Sequence, residues 1–413
     1  MRLVQTNAEL DDILREISAA PSDDARRALF QTFSMLPPRD LPSDPFSPDY
    51  AERQMALYRQ VSGRAYSLDN EATPLDVAEA VRCPFPYHTR SAATVGHHYM
   101  AMGFLLRIMA LPPRSRVLEF GPGWGNTTVA LARMGHQVTA VDVEPRFTEV
   151  IRQRGEREAG AAIEAVNADF FWAETCGREF DAVLFFECFH HAHDHLRLLR
   201  ALQTVLAPGG RIFLGAEPIQ PDFPLPWGLR LDGQSLWAIR EHGWLELGFR
   251  DDYFAEALRR TGWFGHRHVS RDLPEINVWE ITRATEPVFS APGADGRIGT
   301  QSGERRDGRL VFHDAPAGAA VYGPYVTLPA GRYRAQLVLA AGERRGRVRM
   351  DVAGGQDHHS LAERALDLWQ LPAGEAMLEL PFYLGAATEL VEVRLFNEPG
   401  LTAALERVVL LGD

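Results

Sequence analysis

Apolar positions recur every three or four residues through the first part of the chain. In NAELDDILREISAA, Leu10, Ile13, Leu14 and Ile17 share one helical face, with Asn7 at the expected cap. SDDARRALFQTFSML repeats the pattern with Leu29, Phe30, Phe33 and Leu36. A Pro-rich connector, LPPRDLPSDPFSPDY, follows. From residue 116 the pattern becomes short apolar runs separated by helical stretches. It predicts strands over 116–120, 137–143, 163–168, 180–187, 211–216, 264–271 and 277–283. Helices fill the gaps up to the fifth strand, which predicts right-handed crossovers and a parallel, doubly wound sheet. The last two runs are too close for a helical crossover, so the seventh strand is expected antiparallel. From residue 286 alternate positions turn apolar: Tyr333, Ala335, Leu337 and Leu339 share a face, and VRMDV and VEVRL also alternate. LPAG turns stand at 328–331 and 371–374. This predicts an all-β sandwich of Greek-key or jelly-roll type. The fold class is therefore α/β: a seven-stranded Rossmann-like sheet over 113–285 with a lid at 219–249. A helical region over 1–112 precedes it and a β-sandwich over 286–413 follows.

Composition narrows the function classes. The chain has 413 residues, a hydrophobic fraction of 46% and a net charge of -12. That charge argues against broad binding to nucleic acid or anionic membrane. Cys83, Cys176 and Cys188 have no CxxC spacing and read as reduced thiols of a cytoplasmic protein. MRLVQTNAELDD turns acidic too soon for a signal peptide. No apolar run reaches the ~18 residues of a membrane span.

The chemistry concentrates at the predicted strand ends. RVLEFGPGWGNTTVALARMG carries Gly121, Gly123 and Gly125 between a strand and a helix start. A glycine turn at the carboxyl edge of a parallel sheet is a nucleotide site. The spacing is G-x-G-x-G, whereas the dinucleotide fingerprint is G-x-G-x-x-G. Asp142 ends the second strand, 21 positions after Gly121, where an acid accepts ribose hydroxyls; Val143 follows it. Glu119 adds a carboxylate that suits a cationic or amino-bearing cofactor better than a phosphate. Asp169 stands where an adenine amine can donate to it, and Phe170 where it can cover the ring.

LEFGPGWG, AVDVEP, NADF, FDAVLFFECFHH and LAPGGRIFLGAEP, in this order over 116–284, closely resemble class I S-adenosylmethionine-dependent methyltransferases. The resemblance implies S-adenosyl-L-methionine as cofactor. PYHTRSAATVGHHYMAMGFLLR and PWGLRLDGQSLWAIREHGWLELGF look like segments of methyltransferases associated with bacterial polysaccharide assembly. YGPYVTLPAGRYRAQLVL resembles β-sandwich modules that accompany glycan-modifying enzymes. These two likenesses imply a carbohydrate or glycan acceptor methylated on a sugar hydroxyl.

ECFHHAHDH follows the fourth strand, where this fold puts the methyl group. His191 shares the parity of Glu187 if the strand stays extended, which makes it the first candidate base, with His190 second and Glu217 a partner. Glu187 is a candidate holder of the cofactor's amino group. His193 and His195 are expected to decorate the next helix, capped by Asp194. Beyond Asp194 no cysteine or acid stands at a tight ligand spacing, so no metal site is expected. Trp227, Arg230, Asp232, Trp237, Trp244 and Glu246 lie in the lid, and aromatics with Arg and Asp suit a sugar. Tyr87, His88 and Arg90 are candidates to complete the pocket. The alternatives are a small-molecule methyltransferase acting on a lipid, phenol or carboxylate, and a non-catalytic glycan-binding protein. The oligomeric state is open.

Overall fold

The computed structural model describes residues 2–72, 75–85, 91–159, 163–270, 276–284, 287–371, 374 and 376–412. The chain divides into two compact units, Met1–Ala284 and Thr285–Asp413.

The first unit is built on a seven-stranded sheet. Its strands are β1 (Arg116–Phe120), β2 (Gln137–Asp142), β3 (Ile163–Asn167), β4 (Phe180–Phe186), β5 (Leu206–Gly215), β6 (Trp263–Val269) and β7 (Asn277–Arg283), in the order β6-β7-β5-β4-β1-β2-β3. The first five pair in parallel. β7 runs antiparallel between β5 and β6. Alternation assigns side chains to two layers. Val117, Val138, Ala182, Leu184, Phe213 and Val278 pack on Leu105 and Met109 of one helix (Ala92–Met109) and Leu131 and Ala132 of another (Asn126–Arg133). On the other face Leu118, Phe120, Val141, Val183, Phe185, Ile212, Leu214 and Ile281 belong to a larger cluster. It includes Leu198 and Leu199 of the helix His195–Ala201 and Phe254 and Leu258 of the helix Asp251–Arg260.

The boundary near residue 112 does not separate two bodies. The N-terminal helices and the 219–249 insert interlock into one cap. The Tyr50 hydroxyl donates to the Trp227 carbonyl at 2.8 Å, and Leu229 N donates to Gln54 Oε1 at 3.2 Å. Arg240 makes a bidentate pair with Asp11. The insert has its own three-stranded sheet, in which Leu247–Arg250 lies between Ile219–Gln220 and Trp227–Leu229. Within the first helix, Asn7–Ser18, the four predicted apolar residues are buried. Its cap is Thr6 rather than Asn7, because Thr6 and Glu9 form a reciprocal capping box. The second helix stops at Phe30; Phe33 is buried in a short strand, and Leu36 is exposed.

Among the described residues of the second unit every pairing is antiparallel. One sheet has six strands and the other five. Leu337 and Val408 of the first sheet and Met350, Val352, Val393 and Leu395 of the second join one apolar cluster. Tyr333, Ala335, Leu337 and Leu339 are all buried, as their alternation predicts.

Candidate active site

The glycine loop leaves β1 in a conformation that side chains resist. Gly121, Gly123 and Gly125 have φ of 56°, 51° and 74°. A Cβ on Gly121 would stand 2.8 Å from Cys188 Cβ and 2.9 Å from its Sγ. A Cβ on Gly123 would meet nothing within 4 Å, so open space lies beside the loop there. Gly123 N donates to Asp142 Oδ2 at 3.2 Å, and Glu144 N to Asp142 Oδ1 at 2.9 Å. Burial pushes the Asp142 carboxyl up to about 6. Val143 follows; its carbonyl accepts from Asn167 Nδ2 at 2.9 Å. Asp169 caps a short 3-10 turn and accepts from Phe171 N at 2.9 Å. The Phe170 ring approaches the loop, its Cε1 3.9 Å from a Cβ built on Gly121. These residues gather at the carboxyl ends of β1, β2 and β3.

Glu119 is fully buried, and its carboxylate accepts from the Thr127 and Thr128 hydroxyls, the latter at 2.6 Å. Both hydroxyls belong to the first turn of Asn126–Arg133. Glu119 therefore pins the helix that the loop opens rather than offering a free carboxylate. Burial raises it to about 7.

The exit of β4 differs from the expectation. Glu187 has φ 55°, so the extended chain ends there. Its side chain is half exposed, and its Oε2 lies 3.8 Å from His98 Nδ1. Phe189–His191 then form a 3-10 turn. Strand parity therefore does not reach His191, and the pairing of Glu187 with His191 on one side fails. Glu217 sits instead under His190. Its carboxylate accepts from Cys188 N (2.8 Å), Phe189 N (2.8 Å), His190 N (3.2 Å) and His190 Nδ1 (2.8 Å). Burial works to raise Glu217, but the His190 ring and these donors outweigh it and hold the carboxyl below its usual range.

His191 lies against the same turn, its ring centroid 4.2 Å from that of His190. Its Nδ1 faces Glu71 Oε2 at 3.3 Å, an ion-pair distance. Burial opposes a charge on the ring, yet Glu71, Glu246 and Glu217 raise it to about 9. Glu246 Oε2 lies 3.6 Å from His190 Nε2 and 3.2 Å from Arg230 Nη1. Glu71 and Glu246 come from the cap. Glu71 Oε1 accepts from Leu245 N at 3.0 Å, which fixes it to the insert. Sequence reasoning missed Glu71 altogether, and no local motif marks it.

The remaining candidates fall differently. Trp227 is buried, donates to the Pro45 carbonyl at 2.8 Å and packs on Tyr50 and His195, so it belongs to the cap core. Trp237 is buried against Phe30, and Trp244 stacks on His242. Asp232 caps the helix Gly233–Trp237 and holds Arg230 at 3.3 Å. Asp194 caps His195–Ala201, as expected. His195 is not decoration: it is buried, pairs with the Tyr253 hydroxyl at 2.8 Å, and burial drives it down to about 3. Tyr87, His88 and Arg90 lie outside the described residues. The three cysteines are free. Among the described residues no helix is long and apolar enough to cross a membrane.

Comparison with known proteins agrees with this geometry. Residues 118–214 match the family described as "Methyltransferase domain". Over 103 residues the chain is 38% identical to a ubiquinone biosynthesis O-methyltransferase of Xanthomonas campestris pv. campestris, covering 25% of this chain and 43% of that one. It is 36% identical over 105 residues to the same-named protein of Xanthomonas axonopodis pv. citri, with 25% and 43% covered. The chain thus spans less than half the length of these relatives. A crystal structure of Burkholderia thailandensis 1,6-didemethyltoxoflavin-N1-methyltransferase, with bound 1,6-didemethyltoxoflavin and S-adenosylhomocysteine, aligns at 22% identity and TM-score 0.36, covering 52% of this chain and 93% of that one. The parallel strands from β1 to β5, the open glycine loop and the acid ending β2 belong to the matched segment, while β6 and β7 lie beyond it, and the chain carries a class I S-adenosylmethionine-dependent methyltransferase domain.

Proposed function

We propose that the protein is an O-methyltransferase that methylates a hydroxyl of a polar, sugar-like acceptor in a glycan or nucleotide sugar. When bound, S-adenosylmethionine supplies an electrophilic methyl carbon. The chain's own groups do the rest. The open face beside Gly123 admits the cofactor's backbone, and Asp142 accepts its ribose hydroxyls. Asp169 and Phe170 flank the adenine, and Glu187 is exposed at the rim for an amino group. Glu119 holds the helix start in place.

The observation that carries the reading is the Glu217–His190 pair. With Nδ1 donating to Glu217, His190 presents the Nε2 lone pair, which takes the acceptor's proton. Glu217 then balances the imidazolium. The pair is tied to the cofactor side through Cys188, whose thiol donates to the Phe120 carbonyl at 3.1 Å, one residue before the glycine loop. Base duty thus moves from His191 to its neighbour, and His191 joins Glu71, Glu246 and Arg230 around the acceptor. That charged lining favours an acceptor with several hydroxyls. A small molecule (a lipid, phenol or carboxylate) is the second reading, favoured by relatives named for ubiquinone biosynthesis and by the commitment of Trp227 and Trp237 to the cap core. The second unit is read as a β-sandwich for recognition or assembly.

The test is S-adenosylhomocysteine release on incubation with nucleotide sugars, glycan fragments and phenols. Turnover with a sugar acceptor supports the first reading. Turnover with phenols alone moves the acceptor class, and turnover with none of them overturns the O-methyltransferase reading.

A further inference from the structure

The β4 exit has a second capacity that proton transfer does not use. His190, His191 and Glu246 each offer one ligand atom, and these atoms lie within 4.8 Å of one another. Glu217 on His190 Nδ1 orients the ring as metal-bound imidazoles are oriented, by a carboxylate on the far nitrogen. His191 Nδ1 is a buried atom that faces the Glu71 carboxylate at 3.3 Å, so a carboxylate stands beside this imidazole too. Charge points the same way. Glu71, Glu217 and Glu246 face the two imidazoles, while the guanidinium beside them, Arg230, is shared between Glu246 and Asp232.

We propose that His190, His191 and Glu246 bind one divalent transition-metal ion of the zinc type. Two imidazoles and a carboxylate suit Zn²⁺ or Co²⁺ rather than Mg²⁺ or Ca²⁺, which take oxygen ligands. Zinc holds its ligands at about 2.0–2.2 Å, so the ion draws the three groups together. Glu246 sits on the insert and leaves Arg230 to close the site, which ties the cap to the β4 exit. An ion and a proton then compete for the same His190 lone pair. The inference goes beyond methyl transfer, because binding needs neither cofactor nor acceptor.

The test uses the full chain, stripped with a chelator and titrated with Co²⁺, followed by its visible absorption and then displaced with Zn²⁺. One ion per chain is expected. His190→Ala and Glu246→Gln should each weaken binding by roughly 100-fold or more, and Glu217→Gln by about 10–100-fold through the lost orientation. Unchanged melting and unchanged S-adenosylmethionine affinity in these variants confirm that they are folded. No stoichiometric binding by the wild type overturns the proposal, as does wild-type binding by both His190→Ala and Glu246→Gln. The methyltransferase reading fails separately, if calorimetry finds no S-adenosylmethionine binding.

Discussion

The two units each contain a cluster of buried charge, and the clusters are built on different rules. In the second unit Asp351 is 1% exposed and receives Arg394 through two bonds of 2.7 and 2.8 Å and Arg349 at 3.0 Å. Glu392 receives His358 Nδ1 at 2.8 Å, with Arg394 at 3.6 Å. Each buried carboxylate there has its cation, and both guanidiniums lie over Phe396. In the first unit, among the described residues, Glu71, Glu217 and Glu246 converge on two imidazoles with one shared guanidinium. A cluster that satisfies itself holds structure; a cluster with excess carboxylate and an open lone pair is set to take a proton or a cation. The contrast makes different losses the signature of each.

The largest expected effect is on rate. His190→Ala should lower turnover by about 100- to 10,000-fold with S-adenosylmethionine affinity unchanged, read by steady-state kinetics and calorimetry. Undiminished turnover would place the base elsewhere, with His191 next. Asp351→Ala should act on stability instead. It takes both short bonds from the largely buried Arg394 and should cost about 3 kcal/mol in denaturant unfolding of the full chain. A neutral result would erase the distinction between the clusters. Gly121→Ala comes next, at roughly 1–3 kcal/mol, from its φ and the contact with Cys188. A melting temperature equal to wild type would mean that the loop relaxes freely.

The smallest effect is a pH slope. Burial raises Glu119 to about 7 from an ordinary 4.5, so the folded chain binds the proton more tightly than the unfolded one. The contribution is fully present below pH 4.5 and is lost as pH rises through 7. Glu119→Gln should flatten the fall in stability across that window by on the order of 1 kcal/mol, measured by thermal melts at pH 5 and pH 8. Parallel slopes in both proteins would contradict the raised carboxyl.

What the sequence made legible follows the same divide. The proposed cofactor side is local: apolar runs predicted over 116–120, 137–143 and 163–168 match strands ending at Phe120, Asp142 and Asn167, so Gly121, Asp142 and Asp169 stand within two residues of a strand end. The second unit's alternation likewise marked the buried face of Gly331–Leu339. The acceptor side is not local. Glu71 and Glu246 arrive from segments 120 and 55 positions from His191, brought together by the cap's packing; Glu246 was legible as a residue of the lid, whereas nothing near Glu71 signals it. The parity argument for His191 failed at one backbone angle, the positive φ of Glu187, which periodicity cannot register. Trp227 was ambiguous for a physical reason: an aromatic that stacks on a sugar and one that fills a cap core are the same residue type.

The central claim is that the carboxyl edge of β1 and β2 binds S-adenosylmethionine through Asp142. Titration calorimetry of the wild type and of Asp142→Ala tests it in one measurement. Saturable binding by the wild type is expected, weakened by roughly 2 kcal/mol in the variant through the lost ribose partner. No binding by the wild type, or equal binding by both, would contradict it.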